Sequence, residues 1–209
     1  MKIQTNNKMD NEMLKEDKGY LQKINLSKKD IWLDAGSHIG GFSMFIYNKV
    51  KKVIAVEPSK DNYKLLVNNI KNNKIKNVKT IHKAIVENKD KSREFYLNRY
   101  ENKGLHSLLI KKGRDVEIVK CININELIEK YQINKIKMDI EGMEYEILKV
   151  ITSRNYKKIK ELVVEFHLKT LKDHKGKKYK EIIKLLKRHF KTVQYNSNLS
   201  WTQIIYCKK

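Results

Sequence analysis

Alternating charged residues in the second half of the chain could carry out proton chemistry. Lys137, Asp139 and Glu141 alternate along KIKMDIE, so in a β-strand they would share one face. Charged side chains on a buried strand are costly unless they are paired. We therefore expect Asp139 to position a substrate hydroxyl or to take its proton, with Lys137 tuning the carboxylate's pKa and Glu141 beside them. A purely structural ion pair at the strand end is the alternative.

A second group of candidates follows the next apolar segment. Glu165 and His167 alternate along VVEFH and are expected at the same rim of the sheet. His167 is the histidine that we expect to act as a general base, because an unperturbed imidazole titrates near about pH 6.5. A hydrogen-bonded structural histidine is the alternative. His106 and Ser107 could cover a substrate from a loop. A metal site formed by Asp139, Glu141, Glu165 and His167 is a less favoured alternative, because no ligand pair has a recognised metal spacing, and no metal site is predicted.

A glycine-rich turn, LDAGSHIGG, follows the first apolar segment and could hold a nucleoside cofactor. Gly36 and Gly40 allow a tight turn and a close approach of backbone to ligand. Asp34 stands where a dinucleotide-binding turn has its first glycine, and a carboxylate there suits a positively charged ligand better than a pyrophosphate. Glu57 follows the next apolar segment, where an acidic residue accepts hydrogen bonds from ribose hydroxyls. The pattern predicts S-adenosylmethionine, held by Asp34, Gly36, Ser37, His38, Gly40, Glu57 and Asp139.

The elements that must position these residues alternate between short apolar strands and amphipathic helices. We predict parallel strands over 30–34, 53–56, 78–81, 135–140 and 162–166, helices over 42–48, 60–73, 125–131, 145–152 and 179–190, antiparallel strands over 94–97 and 116–122 joined by a polar loop, and a closing hairpin over 192–195 and 202–207. Ser59 and Asn125 are the expected N-caps of two helices. The order predicts a doubly wound α/β fold with a mainly parallel seven-stranded sheet and a β insertion around residues 94–122. Residues 1–27 are expected to form a variable leader with a helix around 11–23, and residues 28–209 a single domain.

Composition narrows the class of protein. No apolar run approaches the roughly 20 residues that cross a bilayer, and the polar N-terminus has no signal-peptide pattern, so a cytoplasmic location is expected. Two cysteines are too few for a disulfide framework. The net charge of +22 suggests RNA or another polyanion as a partner. The alternative is compositional drift from an AT-rich coding sequence, because the lysines are spread along the whole chain.

Four segments in order resemble the FkbM family of methyltransferases. They are DAGSHIG, AVEPSKDNYKLLVNNIKNN, KMDIEGMEYEIL and VVEFH, and the resemblance extends over about residues 30–170. The third segment is the most specific, because it is not a general methyltransferase motif. The resemblance implies a Rossmann-like class I methyltransferase fold with S-adenosylmethionine as cofactor, and it adds Pro58 and Ala84 to the expected cofactor-binding residues. The chain departs from the family at Ser37-His38, usually Ala-Asn, and at Asn125, usually Asp.

Three functions are consistent with these features. The resemblance implies O-methylation of a hydroxyl on a small molecule or sugar, which is the preferred interpretation. The charge suggests methylation of RNA at a ribose or cap, but Glu165 stands where ribose methyltransferases of the Lys-Asp-Lys-Glu type have a second lysine. The motif NPPY or DPPY of adenine methyltransferases is absent from the sequence. A non-catalytic binding protein that keeps the cofactor fold is the third alternative.

Overall fold

A seven-stranded sheet organises the chain. The computed structural model describes residues 2–5, 8–97, 106–109 and 115–209. Its strands are β1 Ile31–Ala35, β2 Lys52–Val56, β3 Val78–Ile81, β4 Ala84–Val86, β5 Ser92–Leu97, β6 Asp115–Asn123, β7 Lys135–Met138, β8 Glu161–His167, β9 Thr192–Gln194 and β10 Thr202–Lys208. Its helices are α1 Lys8–Tyr20, α2 Gly41–Ile46, α3 Lys60–Asn72, α4 Ile124–Tyr131, α5 Glu144–Val150, α6 Ser153–Lys158 and α7 Lys177–Lys187.

The strand order confirms the predicted fold class. The large sheet runs β3-β2-β1-β7-β8-β10-β9, with its first five strands parallel and β10 antiparallel to both neighbours. Strand β1 is central, and its Asp34 lies opposite Ala55 of β2 and Lys137 of β7. The carboxyl ends of five parallel strands therefore meet at one edge, which is where open α/β sheets bind their ligands.

Two apolar cores cover the two faces of this sheet. Consecutive residues of β1 point to opposite faces, so Leu33 joins one core with Leu148 of α5, while Trp32 joins the other with Phe42 of α2. The parallel strands consequently read as continuous apolar runs rather than as an alternation. Burial of each large side chain stabilises the fold by about 1.5–3 kcal/mol, which holds the strand ends in a fixed arrangement.

The insertion forms a separate small sheet beside the edge where the carboxyl ends of the parallel strands meet. Its order is β4-β6-β5, with β4 parallel and β5 antiparallel to β6. The predicted antiparallel pair is present, and the three-residue strand β4 was not predicted because it is too short to show a period. The polar loop expected between the antiparallel strands lies largely outside the described residues, which include only 106–109 and 115 onward of it.

Several local predictions were wrong. Asn123, not Asn125, caps α4, because its side chain accepts a hydrogen bond from the backbone N–H of Asn125. The helix expected over 145–152 ends at Val150, and Thr152 caps a separate helix, α6. Among the described helices, none combines the length and apolar character that crossing a membrane requires.

Candidate functional site

The glycine-rich turn brings the backbone of β1 against the end of β7. Gly36 has a φ of 74°, and a Cβ there would overlap the carbonyl oxygen of Asp139. The backbone N–H groups of Gly36 and Ser37 both donate to the carbonyl of Val56 at 3.1 Å, which ties the turn to β2. Glycine at position 36 is therefore required by both backbone conformation and space, as the sequence pattern predicted.

Glu57 lies at the end of β2, where the predicted ribose contact belongs. Its side chain accepts hydrogen bonds from the backbone N–H groups of Ser59 and His38, each at 2.9 Å. The residue is only 5% exposed, and this burial raises the pKa of Glu57 to about 7, although hydrogen bonds from Ser59, His38 and Asn62 oppose the shift. The carboxylate is thus fixed in position before any ligand binds.

Asp34 does not face the cavities in which a ligand would bind. It is fully buried and does not line either cavity at this edge of the sheet. Its carboxylate accepts a hydrogen bond from the Ser43 hydroxyl at 2.6 Å and lies 3.8 Å from Nζ of Lys137. Burial raises the pKa of Asp34, while Lys137 and Ser43 oppose the rise. The predicted carboxylate is present, but it contacts α2 and Lys137 instead of facing the cavity.

Two cavities adjoin at the carboxyl edge of the sheet. The larger is lined by seven of the predicted residues, Gly36, His38, Glu57, Pro58, Ala84, Asp139 and Glu141. The smaller is lined by Gly36, Ser37, His38, Lys137 and Asp139 together with residues of α1. Asp139 borders both cavities, so it stands between the space beside Glu57 and the space beneath α1.

Helix α1 was predicted only as part of a variable leader, yet it forms one wall of the site. Met13, Asp17 and Tyr20 recur at helical spacing and face the smaller cavity. Asp17 accepts a hydrogen bond from the backbone N–H of Phe42 at 3.0 Å, and the Tyr20 hydroxyl donates to Glu165. Burial raises the pKa of Asp17 to about 7. The spacing of these side chains was the signal that sequence reasoning missed.

Lys137 links the two halves of the site. Its ammonium donates to the carbonyl of Gly36 at 3.2 Å and lies 3.4 Å from Asp139. Burial alone would lower the pKa of Lys137, but the carboxylates of Asp139 and Asp34 raise it above its ordinary value. The predicted pair of Lys137 and Asp139 is therefore present, with the lysine charged.

Glu141 does not share a strand face with Lys137 and Asp139, contrary to expectation. Strand β7 ends at Met138, and Glu141 has a φ of 53° in the turn that follows. Burial raises the pKa of Glu141 to about 8, and the Asp139 and Glu144 carboxylates add to the rise. The backbone carbonyl of Glu141 accepts a hydrogen bond from the Ser107 hydroxyl at 2.8 Å, which ties the insertion to this turn.

His167 points into a ring of carboxylates. Its Nδ1 lies 3.0 Å from Oε1 of Glu144, and its Nε2 faces carboxylate oxygens at 3.7–3.8 Å from Asp139, Glu141 and Glu165. Burial alone would lower the pKa of His167, but the neighbouring carboxylates, Glu144 foremost, raise it well above its ordinary value. Glu165 and His167 therefore lie at the same rim of the sheet, as predicted, and the imidazole of His167 lies among carboxylates.

Glu144 holds His167 and the turn after β7 in place. It is fully buried, and its Oε1 accepts hydrogen bonds from the backbone N–H groups of Ile140 and Gly142, both at 3.0 Å. Burial raises the pKa of Glu165 to about 7, and Asp139 adds to that rise.

Comparison with known proteins places these features in context. A family model described as the methyltransferase FkbM domain matches residues 34–192, and no curated protein matches the chain. An FkbM methyltransferase from Methylobacillus flagellatus KT is similar in structure, with a TM-score of 0.57, 17% identity and coverage of 89% of this chain but only 45% of the other. An rRNA methylase from Streptococcus thermophilus has a TM-score of 0.54, 13% identity and coverage of 100% of this chain and 99% of its own. TrmK from M. capricolum, in complex with S-adenosylhomocysteine, has a TM-score of 0.51, 13% identity and coverage of 94% and 67%.

Proposed function

Because the chain belongs to the FkbM methyltransferase domain family, we propose that it methylates a hydroxyl oxygen on a small molecule or sugar. The family identifies the chain as a methyltransferase-fold protein with S-adenosylmethionine as its cofactor. The nature of the acceptor is our inference. It rests on Asp139, whose carboxylate borders both cavities beside a charged lysine.

The residues of the turn suit this cofactor. Glu57 borders the larger cavity with a buried carboxylate, which suits a hydroxyl donor of the cofactor's ribose. Ser37 is 3% exposed, and its hydroxyl has no hydrogen-bond partner within the described residues although it borders the smaller cavity. An orphaned buried hydroxyl is costly until a ligand satisfies it. Both groups would therefore hold polar atoms of the cofactor.

The lining of the larger cavity favours a compact acceptor. The insertion closes one side of it, because Phe95, His106 and Leu108 contribute to the lining. Enclosed, partly apolar cavities with a few convergent polar groups are typical of small-molecule sites. The predicted covering role of His106 thus has a physical basis, and Ser107 anchors that covering segment through Glu141.

Methyl transfer requires the protein to align the acceptor hydroxyl with the cofactor's methyl group and to remove one proton. The cofactor supplies an electrophilic methyl group with a neutral thioether as leaving group. Asp139 accepts the acceptor's hydroxyl proton, while Lys137 holds that carboxylate in place. His167 is the poorer base, because the surrounding carboxylates raise its pKa and so favour the protonated imidazole. Its charge instead balances the surrounding carboxylates.

A transfer assay tests this proposal. The protein is incubated with S-adenosylmethionine labelled in its methyl group and with separate RNA, glycan and metabolite fractions of host extract. Label in the metabolite or glycan fraction supports the proposal, and label in RNA alone contradicts it. The absence of label in every fraction would favour a non-catalytic binding protein.

A matched pair of variants tests the role of Asp139. Asp139→Asn should abolish transfer while the protein still binds the cofactor, whereas Asp90→Asn alters an exposed loop carboxylate and should behave as wild type. Cofactor affinity is followed by calorimetry in both variants. Substantial transfer by Asp139→Asn would refute the role given to this carboxylate.

RNA is the second candidate acceptor, and one surface favours it. Trp201 is 64% exposed, with Nζ of Lys169 5.2 Å from its ring centroid, and Nζ of Lys187 lies 4.9 Å from the ring of Tyr195. Exposed aromatic rings beside lysines bind single-stranded nucleic acid by stacking and charge. RNA binding should then weaken steeply with salt and in Trp201→Ala, and a flat salt dependence would remove this candidate.

A further inference from the structure

Three side chains from two distant segments converge at the rim beside Asp139. Asp139 and Glu141 follow β7, whereas His167 ends β8, and one ligand atom from each lies within 4.8 Å of the others. Oε1 of Glu165 is 3.8 Å from Nε2 of His167. The spacing of these residues along the chain matches no metal motif, because the group forms only when the two strands pair.

His167 has the orientation of a metal ligand. It is 8% exposed, its Nδ1 is engaged by Glu144, and its Nε2 makes no hydrogen bond within the described part of the chain. The nearest groups to Nε2 are carboxylate oxygens at 3.7–3.8 Å, which is too long for a hydrogen bond and leaves a gap between them. Metal-bound histidines have the same arrangement: a carboxylate holds one ring nitrogen and so orients the other nitrogen toward the metal.

The local charge also favours a cation. Four carboxylates, those of Asp139, Glu141, Glu144 and Glu165, surround His167, and Lys137 forms an ion pair with one of them, Asp139. The chain as a whole carries a net charge of +22, so this concentration of acids runs against its composition. Like charges packed at partly buried positions repel one another, and a divalent cation would offset this repulsion more fully than the single positive charge of the His167 imidazolium.

We propose that Asp139, Glu141 and His167 bind a divalent cation of the Mn²⁺ type. Two carboxylate oxygens and one imidazole nitrogen suit Mn²⁺, with water and an acceptor oxygen completing the coordination. The cation would bind His167 through the lone pair of a deprotonated Nε2, as in any metal-bound imidazole. This is a binding site that the family resemblance did not suggest.

The role of the cation rests on the proposed function. A metal ion that coordinates the acceptor hydroxyl lowers the pKa of that hydroxyl and fixes its oxygen in place. One carboxylate oxygen of Asp139 ligates the cation, and the other remains the base that accepts the hydroxyl proton. The new oxygen–carbon bond forms as the carbon–sulfur bond breaks, and the sulfonium leaves as a neutral thioether.

Manganese binding to the full chain tests the site without any cofactor. EDTA-treated protein is titrated with MnCl₂, and free Mn²⁺ is read from its electron paramagnetic resonance signal. We expect one Mn²⁺ per chain, with affinity at least about 10-fold weaker in His167→Gln and in Glu141→Gln. His174→Gln changes an exposed histidine and should bind as wild type. Substoichiometric binding, or equal binding by all four proteins, would overturn the site.

A spectroscopic signature separates a ligand from a structural residue. Bound Mn²⁺ should show nitrogen hyperfine coupling from an imidazole, and His167→Gln should lose it while circular dichroism shows an unchanged fold. Coupling that persists in this variant would overturn the assignment. Binding of Mn²⁺ without any methyl transfer would contradict the proposed function but not the metal site. Methyl transfer that continues in EDTA, with no Mn²⁺ bound, would contradict the metal site but not the proposed function.

Discussion

Replacing Glu57 with glutamine should weaken S-adenosylmethionine binding by roughly 10- to 150-fold. A carboxylate offers about four lone-pair sites. In this structure the backbone N–H groups of Ser59 and His38 and the side chain of Asn62 occupy three of them, which leaves one for the ligand. Glutamine has a single acceptor oxygen, and its amide nitrogen would face one of these donors. A hydrogen bond to a charged acceptor is worth about 1.5–3 kcal/mol, and about 1.4 kcal/mol corresponds to a tenfold change in Kd.

The pH dependence of binding supplies a second readout. Burial raises the pKa of Glu57 to about 7, and the ligand's hydroxyl donors favour the ionised form. Affinity in the wild type should therefore fall as the pH drops through about 7, because protonation removes the acceptor site that faces the cavity. Glu57→Gln cannot titrate and should lose this part of the fall, while any part that comes from Asp17, with a pKa of about 7, remains in both proteins.

Isothermal titration calorimetry at several pH values measures both effects. Asp61→Asn is the matched control, because it makes the same carboxylate-to-amide change at an exposed position in the first turn of α3. The reasoning is refuted if Glu57→Gln binds within twofold of the wild type. It is refuted equally if the variant keeps the wild-type pH profile in full.

Three further outcomes are expected. Gly36→Ala should lower the melting temperature and prevent cofactor binding, because φ at this position is 74° and a Cβ would overlap a backbone carbonyl. The control Gly19→Ala should change neither property, because a Cβ there meets no atom within 4 Å. Equal melting curves for the two variants would contradict the turn geometry. Glu141 has a folded-state pKa of about 8, above its unfolded value of about 4.5. The wild type should therefore lose stability relative to Glu141→Gln as the pH rises from about 4.5 to about 8. A difference in melting temperature that stays constant over this pH range would argue against the raised pKa. Tyr20→Phe removes the hydrogen bond to Glu165 and should reduce the free energy of unfolding in urea by about 1.5–3 kcal/mol, whereas unchanged stability would show that α1 does not dock there.

The first βαβ unit was predictable because its signals are local. The turn after β1, the cap at Ser59 and the position of Glu57 all fall within one short stretch of sequence, and each has a direct backbone cause. The positive φ at Gly36 and the N-cap hydrogen bond of α3 are both present in the structure. The same local reasoning predicted the wrong cap at Asn125, because two asparagines at neighbouring positions offer the same chemistry and only packing distinguishes them.

Contacts between distant segments could not be read in this way. Alternation along the sequence placed Glu141 on a strand face, but the chain leaves β7 after Met138 and a left-handed backbone at Glu141 redirects it toward His167. The meeting of α1 with the site depends on Tyr20 reaching Glu165, which is 145 residues away. Nothing in local propensity specifies such a pairing.

The sequence by itself determined the order of strands and helices, the cofactor turn and the identity of the acidic residues. These follow from hydrophobic period, backbone sterics and side-chain chemistry, which act over a few residues. Only the tertiary structure decided that Asp34 turns away from the cavity, that α1 closes it, and that Asp139, Glu141 and His167 share one space. Those arrangements depend on which faces of distant elements are buried together, and a linear pattern does not contain that information.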